Sequence, residues 1–303
     1  MAEEKEKPQK EKRGRIGRKI MEFIEEHDTL LFFVLPSVIG VTIFFLFPLL
    51  DVARRSFCFG TSWQFNGIAN FKLLFTNKAF MLAAYNTLRF EAICLPLLLL
   101  ISLLVAIEVY FSSSSVLKFA FLVPLAIPSN SIAVLWRVLF EQQGIVNHIL
   151  TGVFHMHAVR FLDSSAAFWV LVFTYLWKNI GYNMLIWWAG LAAIPNNVYE
   201  AAKLDGASRG QIITRIIVPN LKHVAYAVTV LAFVNSFKVY REAYLIAGNY
   251  PDNSMYTLQH LFNNWFQKLD IGKLAAASVV TAAFLFTVLY VLKKLLLKED
   301  DEA

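Results

Sequence analysis

The chain of 303 residues is 57% hydrophobic and only 17% charged, with aromatic side chains at 15% and a mean hydropathy of +0.53. That is the composition of a membrane protein rather than of a soluble domain. A net charge of +6 does not indicate nucleic acid, because eight of the 28 basic residues lie before Asp28, in "KEKPQKEKRGRIGRK", with no interleaved aromatic residues of the RNA-binding kind.

This N-terminal segment, 1–29, is too long and too charged for a signal peptide, and no small-residue cleavage site follows the first apolar run. It reads as a cytoplasmic anchor. Six stretches downstream reach the roughly 20 apolar residues that a helix needs to cross a bilayer. They lie near 30–50, 88–110, 119–140, 168–193, 224–247 and 274–297. Pro36, Pro48, Pro96, Pro124 and Pro128 fall within them and predict kinks, which bilayer helices tolerate where neighbours satisfy the freed carbonyls. The expected fold class is therefore all-α, a polytopic membrane protein with six transmembrane helices. Trp136, Trp187 and Trp188 lie toward helix ends, as in an interfacial belt. Cys58 and Cys94 are too few for a disulfide framework and read as packing residues.

Orientation follows from the Lys and Arg of the connecting loops. With the N-terminus inside, the internal segments and the inner end of the last helix carry sixteen basic residues, and the external loops carry six: Arg54, Arg55, Lys72, Lys78, Arg160 and Lys268. Both termini, including the tail at 298–303, are expected in the cytoplasm. So is the half-polar stretch "YEAAKLDGASRGQIITRIIVP", residues 199–219, between spans four and five.

Pro195 with Asn196 or Asn197 opens a first helix there, and Gly206 is placed to cap it in the left-handed conformation. Ser208 and Gln211 form a capping-box pattern for a second helix. Ile212, Ile213, Ile216 and Ile217 share one face of it, and Pro219 ends it. The segment 196–219 thus reads as a helix-turn-helix elbow that presents Ala201 and Ala202 to a partner. An amphipathic loop lying on the bilayer is the alternative.

The same residues carry a family resemblance. Glu200, Ala201 and Ala202, then Gly206, Ile216 and Pro219 at the spacing EAA-x3-G-x9-I-x-L-P, resemble the EAA loop of ABC importer permeases, with Val218 in place of the usual Leu. "VLWRVLFEQQGIVNHIL" at 134–150, "WKNIGYNMLIWWAGL" at 177–191 and "SFKVYREAYLIAG" at 236–248 extend the resemblance to the maltose and multiple-sugar, MalF-type branch over residues 30–297. At 247–251, "AGNYP" stands where that branch often carries a glycine-rich TGGGP.

The resemblance implies a permease domain over 30–297 in a bacterial inner membrane. Its elbow would be the coupling element seated in a separate ATPase, with Glu200 as the charged contact, Ala201 and Ala202 as the close-packed surface, Asp205 and Gly206 as the turn, and Ile216 and Pro219 completing the motif. It also implies a second homologous permease, two ATPase subunits, an external substrate-binding protein and a carbohydrate substrate. ATP itself is expected on those separate subunits. The sole Gly-Lys pair, Gly272-Lys273, lacks the upstream Gly and the following hydroxyl of a phosphate-binding loop.

Polar residues inside the spans are costly unless they pair, snorkel or face a wet cavity. Lys238 with Glu242 at i, i+4 is a possible pair, and Arg89 and Lys178 have stems long enough to snorkel. Asn179, Tyr182, Asn183, Asn235, Phe237 and Lys238 suit a sugar, offering amides and charge to hydroxyls and rings to C–H faces. A glycerol phosphodiester or polyol would suit the same class of transporter. A secondary transporter or membrane enzyme is the rival class, but no converging Asp, Glu, His or Cys set is evident, and His155 and His157 read as surface-loop residues rather than metal ligands.

Overall fold

The computed structural model describes residues 33–60, 62–112 and 114–297, so the basic segment 1–29 and the tail 298–303 lie outside the described residues. Among these residues the fold is nearly all helical, with one isolated antiparallel bridge between Cys58 and Phe65. The helices are α1 (Phe33–Arg55), α2 (Ala69–Thr76), α3 (Lys78–Ser112), α4 (Ser115–Ala126), α5 (Ser129–Phe140) and α6 (Ile145–Gly152). Then follow α7 (Ala167–Ala192), α8 (Asn196–Leu204), α9 (Arg209–Asn220), α10 (Lys222–Ser236), α11 (Tyr240–Ala247), α12 (Leu258–Gln267) and α13 (Ile271–Leu296).

Three helices, α1, α3 and α13, are long and apolar enough to cross a membrane. Two bent pairs qualify only if each is one broken span: α4 with 129–152, bent by 96°, and α9 with 222–247, bent by 71°. Helix α7 has the length, at 26 residues, but Lys178, Asn179 and Asn183 in its middle deprive it of a lipid-facing composition.

Four sequence expectations change. The second span begins at Lys78 rather than near Leu88, so α3 runs for 35 residues and passes through Pro96. The third, expected to be continuous over 119–140, breaks after Ala126 because Ile127, preceding Pro128, is held in the extended region (ψ 127°) and Pro128 becomes the N-cap of α5. The fifth, expected over 224–247, is split by a 3₁₀ turn at Phe237–Val239. The stretch 248–272, expected as a loop, contains α12, capped by Thr257 and His260.

The most extensive helix contact joins α3 to α7. One buried cluster there includes Phe90, Cys94, Leu98, Phe168, Leu171 and Tyr175, joined by Ala232, Val239 and Ala243 from α10 to α11. A second cluster continues along α7 with Met184, Trp187 and Leu191 and takes in Tyr199, Ile212, Ile217 and Leu221. Trp187 donates its indole N–H to Ser102 Oγ at 3.1 Å, so the buried ring leaves no orphan donor. Helix α4 crosses α7 at Gly181, where a Cβ would lie 2.0 Å from the Phe121 carbonyl oxygen.

That contact leaves no room for a methyl group against backbone. Gly181→Ala is expected to destabilise the chain by about 1 to 3 kcal/mol through overpacking. Gly210→Ala, at a helical position with nothing within 4 Å of the added Cβ, should be neutral or slightly stabilising. Thermal unfolding of the two variants in detergent reads the difference, and equal midpoints would contradict the close approach of α4 to α7.

Candidate functional site

A cavity of about 630 Å³ lies between α7, the break at Ile127–Pro128 and the 3₁₀ turn at Phe237–Val239. Helix α7 contributes Tyr175, Lys178, Asn179 and Tyr182 to its wall. Asn235, Lys238, Tyr240, Arg241 and Glu242 line it from the end of α10 through α11, and Leu125, Ser129 and Gln259 close it from α4, α5 and α12.

At the centre of the wall the Lys178 ammonium donates to Glu242 Oε1 and to Ser129 Oγ, each at 2.5 Å. The two charged side chains are 16% and 9% exposed. Lys178 therefore does not snorkel, and the expected pair of Lys238 with Glu242 does not form. An i, i+4 pair needs continuous α-helix between its members, and the 3₁₀ turn at Phe237–Val239 changes the angular step so that Glu242 turns inward while Lys238 stays exposed. Lys238 instead donates to Asn235 Oδ1 at 2.9 Å. Arg89 lies over the Phe168 ring, 3.9 Å from its centroid.

Of the sequence-derived substrate set, Asn179, Tyr182, Asn235 and Lys238 come together on the cavity wall. Asn183 and Phe237 do not. Asn183 is buried and donates to the Asn179 carbonyl at 2.9 Å, and Phe237 packs edge-on against Phe233 with ring centroids 5.5 Å apart. Ser129, Tyr240 and Gln259 escaped sequence reasoning. Ser129 enters only because Pro128 breaks the span, and Gln259 only because 258–267 is helical. The Thr257 cap ahead of an amphipathic run was the available signal for that helix.

At the far end of α7 the chain turns through Pro195 into α8. Gly206 has φ +75°, the Ala207 N–H donates to the Ala202 carbonyl at 2.9 Å, and the Gly206 N–H donates to that of Lys203 at 3.1 Å. These two bonds make a Schellman cap, which satisfies the last carbonyls of α8 and fixes the turn. Asp205 precedes it as the C-cap. Ser208 and Gln211 exchange both capping-box bonds at the start of α9. Pro219 lies within the last turn of α9, so the helix ends one residue later than expected, and a π-helical stretch at Ile213–Ile217 turns Ile212 and Ile217 inward.

Helix α8 is seated by Tyr199, buried against the rings of Tyr110 and Phe111 at centroid distances of 6.0 and 5.9 Å. Its outer face leaves Glu200, Ala201 and Asp205 exposed; Ala202 is half-buried against the core, and Ile216 likewise. Leu204, not singled out from the sequence, is 88% exposed and is the most prominent apolar group on that face.

The Lys178–Glu242 pair gives a direct test. Removing one partner leaves a charge of low exposure without its counter-ion, which costs about 3 to 5 kcal/mol, whereas an apolar pair of similar volume is often neutral. Glu242→Gln should lower the thermal midpoint sharply, and Lys178→Met combined with Glu242→Leu should recover most of the loss. If the single variant were as stable as the parent chain, the pair would not be holding α7 to α11.

The chain resembles characterised transport proteins over most of its length. Residues 98–298 match the model of the family described as binding-protein-dependent transport system inner membrane component. The sn-glycerol-3-phosphate transport system permease protein UgpA of Pectobacterium atrosepticum is 30% identical over 260 residues, 82% of this chain and 86% of that protein. The UgpA protein of Salmonella choleraesuis is 31% identical over 258 residues, with the same coverage. A solved bacterial ABC transporter involved in the import of the acidic polysaccharide alginate shares the fold, with a TM-score of 0.81 at 21% identity over 93% of this chain and 99% of that one. A second structure of a bacterial alginate ABC transporter, in complex with its pentasaccharide-bound periplasmic protein, superposes with a TM-score of 0.77 at 21% identity over 90% and 95% of the two chains. The chain belongs to the family of inner membrane components of binding-protein-dependent transport systems.

Proposed function

We propose that this permease subunit of an ABC importer forms half of a translocation pathway for a sugar or a related polyhydroxylated solute, with its cavity on the path and its elbow as the lever worked by a separate ATPase. The observation that carries the proposal is continuity. One 26-residue helix, about 39 Å long by its rise per residue, bears the cavity residues in its middle and leads directly into the capped elbow at its end.

The broken pair of α4 with 129–152 counts as one span, 222–247 without α9 as another and α7 as a third, which with α1, α3 and α13 gives six. The sixteen-to-six asymmetry of basic residues puts both termini and the elbow on the cytoplasmic side of the inner membrane. The permease domain then occupies 30–297, flanked by the basic segment and the short tail. Glu200, Ala201, Asp205 and Gly206, joined by Leu204, face the ATPase, while Ile216 and Pro219 hold the second helix of the elbow in place. A second homologous permease completes the pathway, two ATPase subunits bind ATP, and an external binding protein delivers the substrate. Relatives whose names specify sn-glycerol-3-phosphate and alginate support a polyhydroxylated substrate.

Gly206→Val forces a β-branched residue to φ +75° in a place with nothing within 4 Å of the new Cβ, so its effect is on the backbone. Glu200→Lys reverses an exposed charge without bending the chain. Both variants are expected to reach the membrane at near-normal levels and to lose most uptake, with ATP hydrolysis no longer responsive to the loaded binding protein. Normal uptake and responsive hydrolysis in both would reject the lever and leave a surface-lying amphipathic segment.

A further inference from the structure

The ionisable groups around the 630 Å³ cavity are unevenly matched. Lys178, Lys238 and Arg241 face a single carboxylate, Glu242. Glu242 is buried and committed to Lys178, and among the described residues it makes no second ion pair. Among the described residues Lys238 and Arg241 make no ion pair, and the one polar contact recorded for Lys238 is the neutral Asn235 amide. Three cations against one anion leave the wall with an excess of two positive charges.

The two unmatched cations are also placed against their own interest. Lys238 and Arg241 are three residues apart across the 3₁₀ turn and the first residues of α11, so they project to the same side, and like charges at that spacing repel. Nothing in apolar packing demands this, since both side chains are exposed to the cavity rather than buried. The remaining lining is rich in neutral hydrogen-bonding groups: Ser129, Asn179, Tyr182, Asn235, Tyr240 and Gln259. Hydroxyls of a polyol or sugar match these, and an anionic group matches the pair of cations, with the Arg241 fork suited to two oxygens of a phosphate or carboxylate.

We propose that the cavity selects an anionic polyhydroxylated solute, a phosphorylated polyol or a uronate sugar, and that Lys238 and Arg241 are the residues that set this preference. The proposal rests on the permease reading and narrows it from carbohydrates in general to acidic ones. Lys178 contributes no net charge to this choice because Glu242 cancels it.

The test uses the transporter complex purified from its native host through a tag on this chain and placed in lipid nanodiscs. Binding is measured with two matched pairs of probes, sn-glycerol 3-phosphate against glycerol and D-glucuronate against D-glucose. The charged member of at least one pair is expected to bind at least about tenfold more tightly than its neutral partner, with an affinity that falls as salt is raised. Lys238→Gln combined with Arg241→Gln should remove that preference while helicity by circular dichroism stays unchanged. A larger effect for glycerol phosphate assigns the phosphoryl group, and a larger effect for glucuronate assigns the carboxylate. Equal binding of charged and neutral probes, no binding of either charged probe, or a preference that survives the double substitution would overturn the proposal. Recovery of an ATPase subunit with the tagged chain separates the two levels. A complex that contains the ATPase but shows no anion preference retains the permease reading and loses this one, whereas a chain that brings down no ATPase loses the permease reading whatever it binds.

Discussion

An ammonium group cannot sit in the middle of an apolar helix bundle without a counter-charge, and for Lys178 that counter-charge is Glu242. The pairing constrains more than two residues. To bring Glu242 inward, the fifth span must break at Phe237–Val239, and to bring Ser129 to the same ammonium, the third must break at Pro128. Arg137, whose Nε donates to the Ile246 carbonyl at 2.8 Å, ties the two broken segments to each other, with Ile132 and Trp136 packed against Ile246 beneath. Irregular backbone is tolerated at membrane depth where it lines a cavity, and here residues beside both breaks, Leu125 and Ser129 at one and Asn235, Lys238 and Tyr240 at the other, line one.

From the cavity the structure runs without interruption to the elbow. Met184, Trp187 and Leu191 of α7 share one buried cluster with Tyr199 of α8 and with Ile212 and Ile217 of α9. Close-packed side chains transmit displacement rather than absorb it. The exposed pair of Arg209 with Glu108, at 2.7 Å, adds at most about 1 kcal/mol and is not what seats the elbow. In the proposed function, force on α8 therefore reaches the cavity through packing on α7. The Schellman cap at Gly206 and the capping box at Ser208 keep the two short helices from yielding first.

The sequence made some of this legible and hid the rest for physical reasons. Gly206, Ser208 and Gln211 could be read in advance because caps are local chemistry, decided by residues within one turn of each other. The breaks in the third and fifth spans were harder. Pro128 marked one, but the 3₁₀ turn at Phe237–Val239 follows from a tertiary demand, the partner of Lys178, which lies 64 residues from Glu242. That is also why Lys238 looked like the partner: it is near in sequence. Asn183 and Phe237 fitted the chemistry of a sugar site as well as Asn179 and Asn235 do, and their exclusion from the wall depends on which face of each helix turns to the core. Leu204 passed unnoticed because one more leucine carries no signal in an apolar chain until its exposure is known.

The claim on which the rest stands is that the cavity on α7 lies on a path whose access changes with the ATPase cycle. A single cysteine at Asn179, in a chain with Cys58 and Cys94 replaced by Ala, reports this when the assembled transporter is treated with a hydrophilic thiol reagent. Labelling should proceed from one side of the membrane in the resting complex, change in rate or side when ATP and the loaded binding protein are added, and slow when substrate is present. A cysteine there that never reacts, or that reacts at one rate under every condition, would contradict a translocation role for the cavity.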